Sequence, residues 1–455
     1  MKKVLVVLFA LTAFIPAVEW DTEPFDDGSG LAPRNPILTL DRNETPRILY
    51  YSNCPENEVN ILKFASPDGE DWVVNPVDEI SQYKALRFSF DFTPSNDVMI
   101  AYTQVGNMGN MDIYLACDSS VIFDILNLTD DPFLQMDPLV KVGSDGIARI
   151  VYREENDDGF NIRYGWRDSE GFHSESIKDS MYTHLRGYDF LLDGENVPLV
   201  FYQADDYDLW YATREGEYDW MQESLSIKGG QPSVARDGDG NFHIGYENLN
   251  DIYYATDKSG TWIEECVADN TSGDQNWVDA SLALDPSGTP HIMWYSWTAP
   301  YLAWTNEVWY ATKDGGSWTP MDSMPPNEAK GFGQVNPFHI DTDGYGHVSY
   351  SIYDELYYVK SVEPMKTGIT ESNPQITPLK LEVRGSKVHF NSPGSGTVTL
   401  ELYDASGRRI ERIASGLYPA GEHTMPISAD LSSGVYFIRG LIGEYPASAK
   451  FVAAK

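Results

Sequence analysis

The chain has 455 residues, 42% hydrophobic and 13% aromatic, and its 69 acidic against 32 basic side chains give a net charge of −37. That is enough apolar material for sizeable cores, and a field this negative excludes nucleic-acid binding by phosphate neutralisation and disfavours anionic lipid and polyanionic sugars. Cys54, Cys117 and Cys266 have no metal or redox spacing; one disulfide plus a free thiol fits them, and so do three separate thiols.

Residues 1–17 read as a signal peptide, with Lys2 and Lys3 before the apolar run 4–14 and Pro16-Ala17 offering a small residue for cleavage. Eleven apolar residues are too few to span a bilayer, so no transmembrane segment is expected.

From residue 18 to 365 one unit recurs. Its anchor is the aromatic closing the second apolar run: Tyr50, Tyr102, Tyr152, Tyr202, Tyr246, Trp294 and Tyr350, spaced 52, 50, 50, 44, 48 and 56 residues apart. Two residues earlier stands a β-branched residue each time, from Ile48 to Val348. An upstream apolar run ends in an acid and usually a glycine, as in Asp237-Gly238, where a hairpin turn needs an Asx-type bond or a positive φ. A tyrosine-rich run follows, and Trp72, Trp220, Trp262 or Trp318 opens the last run. Short runs of Val, Ile, Tyr, Trp and Phe cut by Asp, Gly, Pro and Asn are strands and turns. Four strands at a period near 50 predict an all-β, seven-bladed β-propeller over 18–365. The seventh copy lacks its tryptophan strand, and Trp20-Asp-Thr-Glu is expected to supply it and close the ring.

Residues 366–376 read as a polar linker. Residues 377–455 alternate as half-buried strands, about seven in all, and predict a small immunoglobulin-like β-sandwich. Charge divides at the same place: nine Lys/Arg face eight Asp/Glu from Ile369 onward, leaving 21 against 61 in 18–368.

The order L-Y-D-x-x-G-R from Leu402, A-G-x-H ending at His423, S-G-V-Y-F-I-R ending at Arg439 and the late K-F-V at Lys450 resembles the C-terminal type A sorting domain of type IX secretion cargo. It is also similar to the Ig-like module of flagellar hook-capping proteins. The first resemblance implies export across the outer membrane by that machinery, to the cell surface or beyond it. The turns at Asp68-Gly69, Asp257 with Gly260 and Asp314-Gly315, each before a tryptophan, resemble degenerate Asp-box repeats of sialidase-like propellers. Those turns are structural in that family, and its arginine triad cannot be assembled here.

In a repeat protein, residues sharing a slot are framework and residues breaking the pattern are candidates for use. His243, His291 and His347 share a slot and are expected to be packed strand histidines rather than a shared metal site. Asp237-Gly-Asp239-Gly-Asn241 resembles the start of a calcium loop, but lacks the glycine at position six and the acid at position twelve, so calcium is only weakly indicated. The lead-in residues Asn35, Asp137, Gln231, Asp279 and Asn336 would ring the channel mouth, binding a cation or sugar hydroxyls or else capping backbone. The pattern-breakers expected to bind ligand are Trp297, Tyr301 and Trp304 on the sixth-blade insertion, Trp277 and Asp279 at its lead-in, and Arg153 and Glu155 in the third blade. Those exposed-looking aromatics would stack on sugar faces, or bury against a neighbouring blade. The catalytic candidates are His184, Arg186, Tyr188 and Glu154. Three functions follow: a surface binder of glycan or protein, a glycan-cleaving enzyme of sialidase-like or lyase type, and a structural surface protein.

Overall fold

A computed structural model describes residues 20–25, 29–54, 59–69, 71–81, 87–118, 123–181, 187–269, 276–297, 306–314, 316–319, 322–323, 338–352, 355–365, 381–384, 386–392, 396–404, 408–419, 421–429, 431–442 and 445–453. The signal-peptide and linker readings therefore lie outside the described residues. None of the described residues is helical, and no helix is long and apolar enough to cross a membrane. The chain divides into two compact units, Met1–Gly368 and Ile369–Lys455.

Among the described residues, the first unit holds seven antiparallel sheets. Blades one to six run in sequence over 33–81, 88–127, 134–181, 188–228, 230–268 and 276–323. In the sixth, two short segments, Ser317–Trp318 and Asp322–Ser323, share the work of the last strand. Blade seven takes Phe338–Ile340, Gly346–Ile352 and Glu355–Ser361 from the end of the unit and its outer strand, Trp20–Phe25, from the beginning. Trp20 pairs with Ser361 and Phe25 with Leu356, so the N-terminal strand covers an edge that would otherwise template aggregation. First strands lie side by side from blade to blade, and Phe338–Ile340 touches those of both blade six and blade one. The ring is closed.

Both faces of every blade are buried, which is why its strands are continuous apolar runs. Successive residues go to opposite interfaces: Ile150 and Tyr152 pack toward blade two, Val151 toward blade four. All seven anchors are no more than 2% exposed, and each faces the preceding blade. The tryptophan slot is a wedge between blades. Trp220 meets Tyr164 edge-on at 5.4 Å, Trp318 meets Tyr254 at 5.2 Å, Trp72 meets Tyr358 at 5.3 Å, and Trp20 meets Tyr310 at 6.0 Å.

The turn between first and second strands repeats as well. Its acid accepts backbone N–H groups two and four residues on, as Asp41, Asp193, Asp237 and Asp285 do. Its fourth place is left-handed: Glu44 at φ 61°, Asn96 at 73°, Asn196 at 64°, and Gly146, Gly240, Gly288 and Gly344 elsewhere. Where that residue has a side chain, it bonds the turn of the preceding blade. Asn96 accepts from Arg42 N at 2.8 Å, Asn196 from Ser144 N at 2.9 Å, and Glu44 from the Thr342 hydroxyl at 2.7 Å, across 298 residues of chain. First-strand N–H groups are also met from the preceding blade. Val140 N donates to Ser89, Val234 N to Asp189 and Leu282 N to Ser233.

Among the described residues, the second unit has seven strands in two antiparallel sheets. One orders Leu381–Arg384, Lys387–Ser392 and Gly421–Pro426; the other orders Arg409–Tyr418, Gly396–Asp404, Gly434–Ile442 and Tyr445–Ala453. One core, including Val388, Phe390, Leu400, Leu402 and Ile438, joins them.

Candidate functional site

The repeated histidines belong to the framework. Nδ1 of His243, His291 and His347 lies 2.6, 2.7 and 2.8 Å from the hydroxyls of Tyr254, Tyr310 and Tyr358. Nε2 faces the turn acids Asp237, Asp285 and Asp341 at 3.3, 3.6 and 3.0 Å. Burial lowers all three imidazole pKa values despite the facing carboxylate, so they are neutral at pH 7. For Asp285, burial alone would raise the pKa; the facing His291 and hydrogen bonds from Ser287 and Thr289 N outweigh it and bring it to about 2. Among the described residues, no cluster of three His, Cys, Asp or Glu could hold a metal ion, and no disulfide joins the three cysteines. Asp237 is held by Asn241, His243 and Lys258, the geometry of a turn.

At the other end of the blades, the first strand begins with a bulge. The register slips between Arg34 and Ile37, Met136 and Leu139, Gly230 and Ser233, and Val278 and Ser281. Asn35, Asp137 and Gln231 take positive φ there (49°, 59° and 49°), ahead of Pro36, Pro138 and Pro232. The extra residue places a partly buried polar side chain at this lead-in end of the blade.

Blades two to four converge on Asp137. Its carboxylate lies 3.7 Å from Arg87 Nε and 3.4 Å from Arg153 Nη2. Tyr188, on the first strand of blade four, donates its hydroxyl to the Asp137 carbonyl. Arg153 lies over the Phe160 ring at 5.2 Å, contacts the Met136 sulfur, and has a buried Nε without a hydrogen-bond partner among the described residues. Burial and the Asp137 charge, against Arg87 and Arg153, hold the Tyr188 phenol far above its usual pKa, so it is a fixed donor and not a base near neutrality. Next along the ring, a Cβ on Gly187 would meet the Gln231 Cα at 3.0 Å, and Gln231 donates to Glu247 at 3.1 Å.

The strand period separates the third-blade candidates. Glu154 turns away from Arg153 into the blade, accepting from Asn161 at 3.1 Å with Arg163 at 3.8 Å, and is 6% exposed. Glu155 is half-buried on the Arg153 face and pairs with Leu134 across the sheet. In blade six, the backbone pairs Asn276 with Trp297 and Trp277 with Ser296, placing Trp277, Asp279 and Trp297 on the strand ends that reach the mouth. Tyr301, Trp304, His184, Arg186 and Asn336 lie outside the described residues.

Two features were missed in the sequence. Arg87 stands just before a strand and breaks no visible slot. Trp166 did carry a signal: its counterparts in blades five and six are Thr256 and Thr312, so it violates the repeat.

No family model and no curated protein matches the chain. Among solved structures it is similar to an Aleuria aurantia lectin in complex with Fucα1-6GlcNAc, at 14% identity over 66% of this chain and 97% of that one, TM-score 0.42. A fungal alcohol oxidase in complex with copper aligns at 10% identity over 96% and 100%, TM-score 0.45. A Penicillium chrysogenum α-L-arabinanase complexed with arabinobiose aligns at 10% over 72% and 93%, TM-score 0.39. Likeness of this size bears on neither ligand nor chemistry; the propeller rests on the strand pairing itself.

Proposed function

We propose that this protein is an exported propeller that binds an extracellular glycan on its channel-mouth face. The observation that carries the reading is the bulged lead-in at Asp137, bracketed by Arg87 and Arg153 and clamped by Tyr188. A half-buried array of fixed donors and acceptors suits hydroxyl recognition, because its ordering cost is met on folding and not on binding. Trp277 and Trp297, with Tyr301 and Trp304 beyond, would add aromatic faces for sugar rings. Binding is favoured over turnover because Glu154 is held by Asn161 and Arg163, and Tyr188 is fixed as a phenol. In the same reading residues 1–17 are a leader, 366–376 a linker, and the C-terminal unit an immunoglobulin-like sorting domain recognised by the outer-membrane secretion machinery.

The test is a glycan-array and product-release screen on the exported protein, with Arg153→Gln alongside. Bound glycans released intact, and lost in the variant, support the reading. Cleaved products replace it with the enzyme, and silence in both assays replaces it with a structural surface protein. Export of the chain truncated after Gly368 from a type IX-competent bacterium tests the sorting role; undiminished export refutes it.

A further inference from the structure

At the end of the propeller opposite the mouth, a cavity of about 420 Å³ opens between blades three and four. Arg149, Tyr164, Trp166, Asp168, Glu195 and Arg214 are among the residues lining it. Its framework is the module seen in blades five to seven, with two changes. Arg149 replaces the histidine, gripping Asp145 at 2.9 and 2.6 Å, and Trp166 stands where the sixth blade has Thr312.

These changes make a built site. Arg214 grips the fully buried Glu175 carboxylate through Nε at 2.7 Å and Nη2 at 3.1 Å, leaving Nη1 outside the pair. Its guanidinium lies 4.8 Å over Trp166, whose ring stacks on His173 at 5.0 Å and 15°. His173 is held in turn by Asp168 at 3.1 Å. The indole is therefore fixed, yet remains only half-buried. Two guanidiniums locked by carboxylates present donors whose positions are set before a ligand arrives. Exposed Glu195, Glu215 and Glu217 supply acceptors.

Charge selects the ligand class. Each arginine is neutralised by its own partner, so the remaining carboxylates leave the cavity negative and repel an anion. The seat for a cation over the indole is already taken by Arg214. What fits is an uncharged molecule rich in hydroxyls, which needs donors, acceptors and an aromatic edge together. We propose that the cleft between blades three and four is a second ligand site, separate from the mouth, that takes one neutral sugar residue.

The test is saturation-transfer NMR and tryptophan fluorescence on the intact protein with D-galactose, D-mannose, D-glucose and L-fucose. N-acetylneuraminic acid and L-lysine serve as charged controls. Saturable binding of a neutral sugar is expected, weakened about tenfold or more in Trp166→Thr, the residue that blades five and six carry at that slot. Glu195→Lys, at an exposed position that folding tolerates, should also weaken it. Absence of saturable sugar binding, binding unchanged in Trp166→Thr and Glu195→Lys, or binding of a charged control alone overturns the proposal.

Discussion

Blades three and five join their successors with the same parts in different chemistry. In blade five, Asp237, His243 and Tyr254 form a relay through a neutral imidazole, and Trp318 of blade six wedges against the tyrosine. Blade three runs Asp145, Arg149 and Tyr164 to Trp220 of blade four. The cross-blade bridge differs too. Arg214 and Trp220 both bond Glu175, whose side chain is 0% exposed, while Lys313 and Trp318 bond Glu265, which is 30% exposed. The interface after blade five carries Thr256 at the slot that Trp166 fills in blade three. The other is charged, aromatic and hollow. Sameness holds the wheel together, and the departure leaves space beside fixed polar groups.

The largest expected effect in breaking this comparison is at Glu175. Glu175→Ala strands Arg214 and the Trp220 indole N–H and should cost about 3–5 kcal/mol, whereas Glu265→Ala should cost about 1 kcal/mol or less, read as denaturant midpoints at constant m. Equal losses would show that the two interfaces are energetically alike. Trp20→Ala, removing the wedge that closes the wheel, should cost about 3 kcal/mol, and loss of less than about 1 kcal/mol would mean that the N-terminal strand is not needed for closure.

The relay also sets a pH dependence that the arginine version lacks. Buried His243, His291 and His347 have folded pKa values below their unfolded value of about 6.5. Their contribution is complete above that pH and is lost as pH falls through the folded pKa values, because the unfolded chain takes up the protons first. The steepest slope is about 1.4 kcal/mol per pH unit for each proton. The turn aspartates add their own loss only below about pH 4, since Asp237 and Asp285 have lowered pKa values. Thermal melts between pH 7 and 5 should show the decline, and His291→Gln should flatten it; an unchanged slope would refute the assignment. The smallest effect is expected at the ring latch, where Glu44→Gln should shift stability by less than about 1 kcal/mol, checked by the same melts.

Much of the wheel was legible in the one-dimensional pattern. The seven aromatics, the β-branched residue two places before each, and the turn acids carry it, because a blade buried on both faces tolerates little else at those slots. The donor strand at Trp20 was legible for the same reason: a tryptophan was missing from one copy and spare near the start. Slot equivalence also separated His243, His291 and His347 from a metal site, since equivalent positions on different blades cannot meet. Only the tertiary structure decided which side chains gather from different blades. Arg87 joins Asp137 across a blade boundary, and Trp166 gains its place from His173 and Arg214. Strand repeats fix spacing along a blade, but a site between blades depends on packing angle and side-chain reach. Those are settled when apolar faces close on one another, not by the order of residues along the chain.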